Sequence, residues 1–386
     1  MKQMTRHDHW DLQHTIIATI AGIAEQDFVH TIHTLINFIY QAQSPMFTES
    51  SIHNMEGSLS EFHKYKGAIL QAGEIDHFQI PKLKLLQSFS HAICNVGSLI
   101  QYMVDVSKCL LIMHCKDPFS HTNHQHAEFM QQIVLLLDHE ESIQQFNLYA
   151  LLHKKRLSLM NTLPVEYNGL LSDNAMVAFH MTIKSNFADK LSNYVATMYH
   201  LSNFTTLLWA YIVTICGNSS HFNGCLLKGW LNQQVQALPP SSNHAYGKCD
   251  AVLIQSTPHS EQPGVAQVQA IFALSPRGSP LPVKLSVPLL YVQHFAFMAT
   301  PADQPNVGMY TVRHLFLSNP DGSPSQVGSI ISMLDVLHAI ELIPKYRASA
   351  RCDVESETSL ELYDEFFLNN FSDKEWYYTT QHSDDM

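Results

Sequence analysis

The chain reads as an α+β protein: an N-terminal, mainly α-helical domain over residues 1–237, followed by a small antiparallel β barrel or sandwich over 238–386. Three observations predict this. Apolar residues recur at helical spacing through much of the stretch before Ile215. Composition shifts near Ala237, where Pro239-Pro240-Ser241-Ser242 opens a segment rich in proline, glycine and β-branched residues. Beyond it, short strand-like runs alternate with turn clusters.

Taken in order, Ile16, Ile20, Ile23, Phe28, Ile32, Leu35, Ile36 and Ile39 predict an antiparallel helix pair or one kinked helix over Asp11 to Gln43. Asp27 is its expected N-cap. Residues 44–58, with Pro45 and Gly57, read as a connection, and Leu59, Phe62, Ile69 and Leu70 resume a helix up to Gly73. A further helix starts at Pro81, carries Leu83, Leu86 and Phe89 on one side, and stops at Gly97. Leu99 to Met113 is another apolar segment, and Phe129, Ile133, Leu136 and Leu137 predict a helix within Glu128 to His153. Residues 157–180 read as a connector, followed by short helices at Asp189 to Tyr199 and Phe204 to Ile215.

After the boundary, strands are expected at Ala251 to Ile254, Val265 to Phe272, Leu289 to Met298, Met309 to Leu317 and Gly328 to Met333. Ser275-Pro276-Arg277-Gly278 and Asn319-Pro320-Asp321-Gly322 supply turns between them. Residues 348–386 form a polar, acidic tail whose Tyr363, Phe366, Phe367, Phe371, Trp376 and Tyr377 are expected to dock it.

Composition limits the functions open to such a chain. With 46% hydrophobic and 15% charged residues it can bury sizeable cores, and it is not a disordered protein. Its 22 Lys and Arg against 34 Asp and Glu, a net charge of -12, argue against tight autonomous DNA binding. Lys154-Lys155-Arg156 is the one compact basic cluster, suited to a phosphate contact or an import signal, or to a solvated helix end. Seven scattered cysteines without a CxxC pair, in a chain that opens without a signal peptide, suit reduced thiols. The longest aliphatic run, Ile133 to Leu137, is far short of the ~20 residues a membrane span needs. No membrane partner is expected, and the compartment is nuclear or cytoplasmic.

Candidate chemistry is sparse. His114, Cys115, His121, His124 and His126 are the densest set of metal-ligand types, yet their spacing matches no zinc-finger signature, and a histidine-rich loop explains them equally. Asp138-His139-Glu140-Glu141 reads as a solvated helix face. Asp335 and His338 share a face if their segment is helical and lie on opposite faces if it is a strand, so a hydrolase dyad there stays open. Phosphate-loop, nucleophile-elbow and HExxH motifs are absent. On these grounds no residue takes a catalytic, cofactor-binding or metal-binding role.

Several phrases resemble, in order, the C-terminal part of fungal Plavaka-type transposases of the CACTA-like superfamily. They are Trp10-Asp11-Leu12-Gln13, Asp27-Phe28-Val29, the stretch Ile80 to Phe89, Gly97 to Tyr102, Asp105-Val106-Ser107 and His139 to Ile143. Gly247 to Leu253, Val265 to Val268, Leu289 to Gln293, Asp335-Val336, Leu342-Ile343-Pro344 and the tail from Ser359 to Tyr377 continue the series. The last segments are similar to a C-terminal domain of unknown function in such proteins. The resemblance implies a ribonuclease-H-like core with three carboxylates and two divalent metals, most of it upstream of Met1. In such relatives the phrase after Asp105-Val106 continues as Ser or Thr, then Glu and His; here the last two positions are Lys108 and Cys109. If that Glu belongs to the acidic set, a cation at Lys108 repels Mg²⁺; if it is a surface helix residue, nothing is lost. The expectation is a transposon-derived protein without strand-transfer activity and without a cofactor, with DNA, a protein partner or self-association as its contacts. The alternative is a domesticated protein-interaction module.

Overall fold

Helices fill the N-terminal part, as the apolar period predicts, and the C-terminal part is a curled antiparallel sheet. The computed structural model describes residues 6–73, 75–99, 104–155, 185–217, 226–231, 235–241, 245–255, 263–275, 281–282, 285–318, 324–346, 354, 358–374 and 376–378. They belong to two compact units: residues 1–41, 53–86 and 179–386 form one, and 42–52 with 87–178 form the other. The expected boundary after Ala237 falls inside the first unit.

The early helices are α1 (Arg6–Ile20), α2 (Gln26–Ala42), α3 (Glu49–Tyr65), α4 (Gly67–Gln71), α5 (Pro81–Leu86) and α6 (Phe89–Val96). Asp27 is not the cap of α2 but stands within its first turn, where its negative charge favours the helix dipole. The segment 44–58 is not all connection, because α3 already begins at Glu49. Thr48 and Ser51 exchange backbone N–H to hydroxyl hydrogen bonds at 2.8 and 3.1 Å, a reciprocal cap that starts the helix early. Gly57 lies inside this helix with open space where a Cβ would stand, so it costs the helix about 1 kcal/mol relative to alanine, and the helix forms despite it. The single helix expected from Pro81 to Gly97 breaks at Gln87-Ser88, and Gly97, at φ 92°, ends its second half.

The second unit continues with α7 (Val104–Leu111), a π-helical turn over Ile112–Lys116, α8 (Asp117–Ser120) and the 27-residue α9 (Phe129–Lys155). The connector expected at 157–180 lies outside the described residues.

In the first unit the chain resumes as β1 (Phe187–Leu191), α10 (Ser192–Met198), α11 (Phe204–Cys216), β2 (Leu226–Trp230), β3 (Ala237–Leu238), β4 (Lys248–Cys249) and β5 (Ala251–Ile254). Then follow β6 (Gly264–Ser275), β7 (Leu289–Ala299), β8 (Thr311–His314), β9 (Phe316–Ser318), β10 (Pro324–Gln326) and β11 (Gly328–Ser332). The last elements are β12 (Val336–Ile340), β13 (Leu342–Pro344), α12 (Ser359–Leu362) and β14 (Glu365–Leu368). The helix expected from Asp189 therefore starts only at Ser192. Residues 187–191 instead pair antiparallel with β2, and Asp189 adopts φ 55° at the irregularity between Phe187 and Lys190.

Ten strands join one sheet in the order β1-β2-β6-β7-β8-β14-β13, with β5 on β6, β12 on β5 and β11 on β7. The strand expected over Met309 to Leu317 divides, β8 staying in the sheet while β9 pairs with β10 in a separate ribbon. Segment 336–344 works as one kinked strand: its first half pairs with β5, its second with β14, and the handover is at Glu341. The pairing path thus curls back on itself.

Both faces of the long strands are covered, which is why β6 reads as an almost continuous apolar run. Val195, Phe204, Leu208 and Ile212 of α10 and α11 pack on Phe272, Leu289 and Tyr291. Across the sheet, Val252, Ala266, Val268, Ile271 and Val292 form a second core. Even-numbered residues of β6 face that core before Gln269 and odd-numbered ones after it. The bulge between Val268 and Ala270 makes this switch. Where the sheet curls, Leu253, Val265, Phe295, Val312, Leu342, Phe366 and Leu368 fill the interior. Burying such a phenylalanine contributes roughly 2–3 kcal/mol.

The aromatic tail docks, as expected, and more deeply than a surface attachment. Phe366 and Phe367 belong to β14, and Phe371 and Tyr377 pack with Ile17, Val29, Ile36 and Tyr40 of α1 and α2. The Tyr40 hydroxyl donates to the Phe371 carbonyl at 2.6 Å, and the Tyr377 hydroxyl to Asn37 Oδ1 at 3.0 Å. Gly308, at φ 65°, lies against the His33 ring, where a Cβ would collide.

Candidate functional site

At the strand handover the sheet cannot stay paired on both sides, and a cleft opens. One lobe, about 410 Å³, is lined by Thr15 and Thr19 of α1, Lys248 to Ala251, and the stretch Ile340 to Pro344. The other, about 550 Å³, is lined by Asp11, His14, Thr15, Ala339 to Glu341, Ser372 and Asp373. The lobes share Thr15, Asp250, Ala251, Ile340 and Glu341.

Carboxylates dominate the walls. Asp250 accepts the Gln236 N–H at 2.7 Å, and burial raises its pKa above the ordinary carboxylate value. Glu341 accepts from the Asn369 amide at 2.6 Å. Asp373 accepts the Trp376 N–H at 2.8 Å and meets His338 Nε2 at 3.0 Å. Burial lowers the pKa of His14 although Glu341, Asp11 and Asp373 all pull it upward, so this imidazole is neutral at pH 7. Cys249 is no nucleophile: burial, helped by the Glu361 and Asp250 carboxylates, pushes its thiol up to about 12.

The candidates from the sequence lie elsewhere or serve other purposes. Asp335 and His338 do not form a dyad. Asp335 ends a 3-10 turn over Met333–Asp335 and closes a reciprocal cap with Ser332, whereas His338 lies in β12, stacks on Trp376 at 5.5 Å and bonds Asp373. His114 and Cys115 sit in the π-helical turn, His124 packs on Phe119 at 4.7 Å, and His126 lies 6.3 Å from Phe129. Among the described residues no group of three or more His, Cys, Asp or Glu could hold a metal ion. Asp138 to Glu141 are exposed on α9, as are Lys108 and Cys109 on α7. Arg156 lies outside the described residues, as do the side chains of Lys154 and Lys155.

Sequence reasoning missed the cleft because Asp11, Asp250, Glu341 and Asp373 come together only through the sheet. The available signal was weak: Asp250 precedes the apolar run of β5, and Glu341 interrupts an otherwise apolar segment ending at Pro344.

Fold and cleft together define an α+β protein with helices packed on a curled antiparallel sheet and an open acidic cleft at a strand handover. Residues 227–312, from β2 into β8, match the model of a family described as a domain of unknown function, DUF6830. No curated protein and no solved structure matches the chain. Among the described residues no helix is long and apolar enough to cross a membrane.

Proposed function

We propose that the chain is the C-terminal portion of a transposase-like protein of the fungal Plavaka type, nuclear or cytoplasmic in location, without strand-transfer chemistry of its own. Its sheet-bearing unit serves as an interaction module. One observation carries this reading: the polar side chains gathered at the cleft brace the chain, while the cleft itself stays open. The ordered series of phrases along the sequence supports the link to transposases, and the DUF6830 match falls where the resemblance continues, over Gly247 to Leu253, Val265 to Val268 and Leu289 to Gln293. Lys108, exposed on α7, offers an ammonium where the resemblance to Plavaka-type transposases implies a glutamate.

The test is incubation of the purified chain with supercoiled and linear DNA in Mg²⁺ and in Mn²⁺. No nicking or strand joining is expected. Cleavage that EDTA abolishes and that co-elutes with the chain overturns the reading. A second reading, an interaction module recruited to a task unrelated to transposition, is favoured by the same cleft. The two part on partners: element-end DNA or a transposase for the first, neither for the second.

A further inference from the structure

Among the described residues the outer edge of β13 has no strand partner, and this points to what the cleft takes. Glu341 accepts the Asn369 N–H at 3.0 Å, and Lys345 donates to the Glu365 carbonyl at 2.9 Å. Antiparallel pairing alternates, so Ile343 also bonds toward β14, and the main-chain groups of Leu342 and Pro344 face away from it; all three residues line the first lobe. Leu368, opposite Leu342, donates instead to Tyr310 on its far side at 2.9 Å, in keeping with that register. β13 is the last strand on its path, and among the described residues no strand pairs with its outer edge. Leu342 is 8% exposed, its side chain packs in the curled interior, and the residue lines the first lobe. Proline at 344 suits such an edge, offering an acceptor and no donor.

Charge then selects the ligand. Asp11, Asp250, Glu341 and Asp373 line the two lobes, against Lys248 and a neutral His14. Phosphate groups are disfavoured there and ammonium or guanidinium groups are favoured. The hydroxyls of Thr15 and Thr19, which also line the first lobe, donate to their own helix carbonyls at 2.9 Å and keep their oxygens as acceptors.

We propose that the cleft binds an extended, lysine- or arginine-bearing segment of a partner protein, added as a strand along the outer edge of β13. This rests on the interaction-module reading and names the partner's chemistry. Three extended residues span about 10 Å, matching the three residues of β13.

The experiment uses the full chain and three labelled octapeptides: alternating arginine and valine, the same with glutamate for arginine, and the arginine peptide N-methylated at alternate residues. Fluorescence anisotropy reads binding, and amide exchange reads the Leu342 N–H. The arginine peptide should bind saturably and slow exchange at Leu342, the N-methylated peptide should bind about tenfold more weakly, and the glutamate peptide should not bind. Paired Glu341→Gln and Asp250→Asn substitutions should weaken the arginine peptide about fivefold, with the circular dichroism spectrum showing an intact fold. Equal binding of the glutamate or the N-methylated peptide, no binding to the folded chain, or unchanged Leu342 exchange would each overturn the assignment. Such failure leaves the interaction-module reading standing if a natural partner still binds a Glu341→Lys chain, and removes both if it also finds no partner.

Discussion

The two compact units use apolar residues in opposite ways. In the sheet-bearing unit, β6 buries ten consecutive residues, and Phe366, Phe367 and Phe371 are each at most 1% exposed. In the other, α9 carries Met130, Val134, Ile143, Phe146 and Tyr149, each more than 60% exposed. Both read in the sequence as apolar periodic segments. Periodicity reports that a helix or strand can form, whereas burial depends on neighbours that are distant along the chain.

The contrast is sharpest in mutational cost. Phe366→Ala removes a ring that meets Phe295 and His314 edge-on in the curled interior, and should lower stability by about 3–5 kcal/mol, read by urea denaturation. Comparable stability in that variant would break the account of the interior.

Acid should expose the sheet-bearing unit next. His33 is buried, and burial together with neighbouring His30 lowers its pKa to about 4, with the Pro305 carbonyl acting the other way. The unfolded chain, with an ordinary histidine, takes the proton first. Stability is therefore full above the unfolded value of about 6.5 and is lost as pH falls toward 4, by roughly 3 kcal/mol from this group. Stability curves of the protein and of His33→Gln measured between pH 7 and pH 4 should diverge, the variant losing less.

A smaller effect tests the early start of α3. Thr48→Ala deletes one half of its reciprocal cap and should cost about 1 kcal/mol, with faster amide exchange in the first turn. The smallest is Phe146→Ala on α9, expected within about 0.5 kcal/mol of the parent. A loss as large as that of Phe366→Ala would erase the distinction between the units.

Much of the fold was legible. Ala251 to Ile254 matches β5, and the runs at Val265, Leu289 and Gly328 fall on β6, β7 and β11, because turn residues bound short apolar stretches there. β1 was not, since Phe187 to Leu191 has no apolar alternation and becomes a strand only by pairing with β2. The Thr48 cap was readable as a threonine three residues before a serine, a pattern weaker than the usual glutamate partner. Of the cleft, almost nothing was legible: Asp11 and Asp373 stand at opposite ends of the chain, and no local rule couples them.

The place of β14 has a consequence for how the molecule comes into being. Residues 365–368 form the last strand among the described residues, yet they lie between β8 and β13. A nascent chain that has reached Pro344 holds both neighbours with nothing to put between them. The curl therefore closes only after synthesis has passed Leu368, and until then two strand edges wait unpaired. A ribosome stalled before Leu368 would hold an intermediate with the edges of β8 and β13 exposed and prone to pair with other chains.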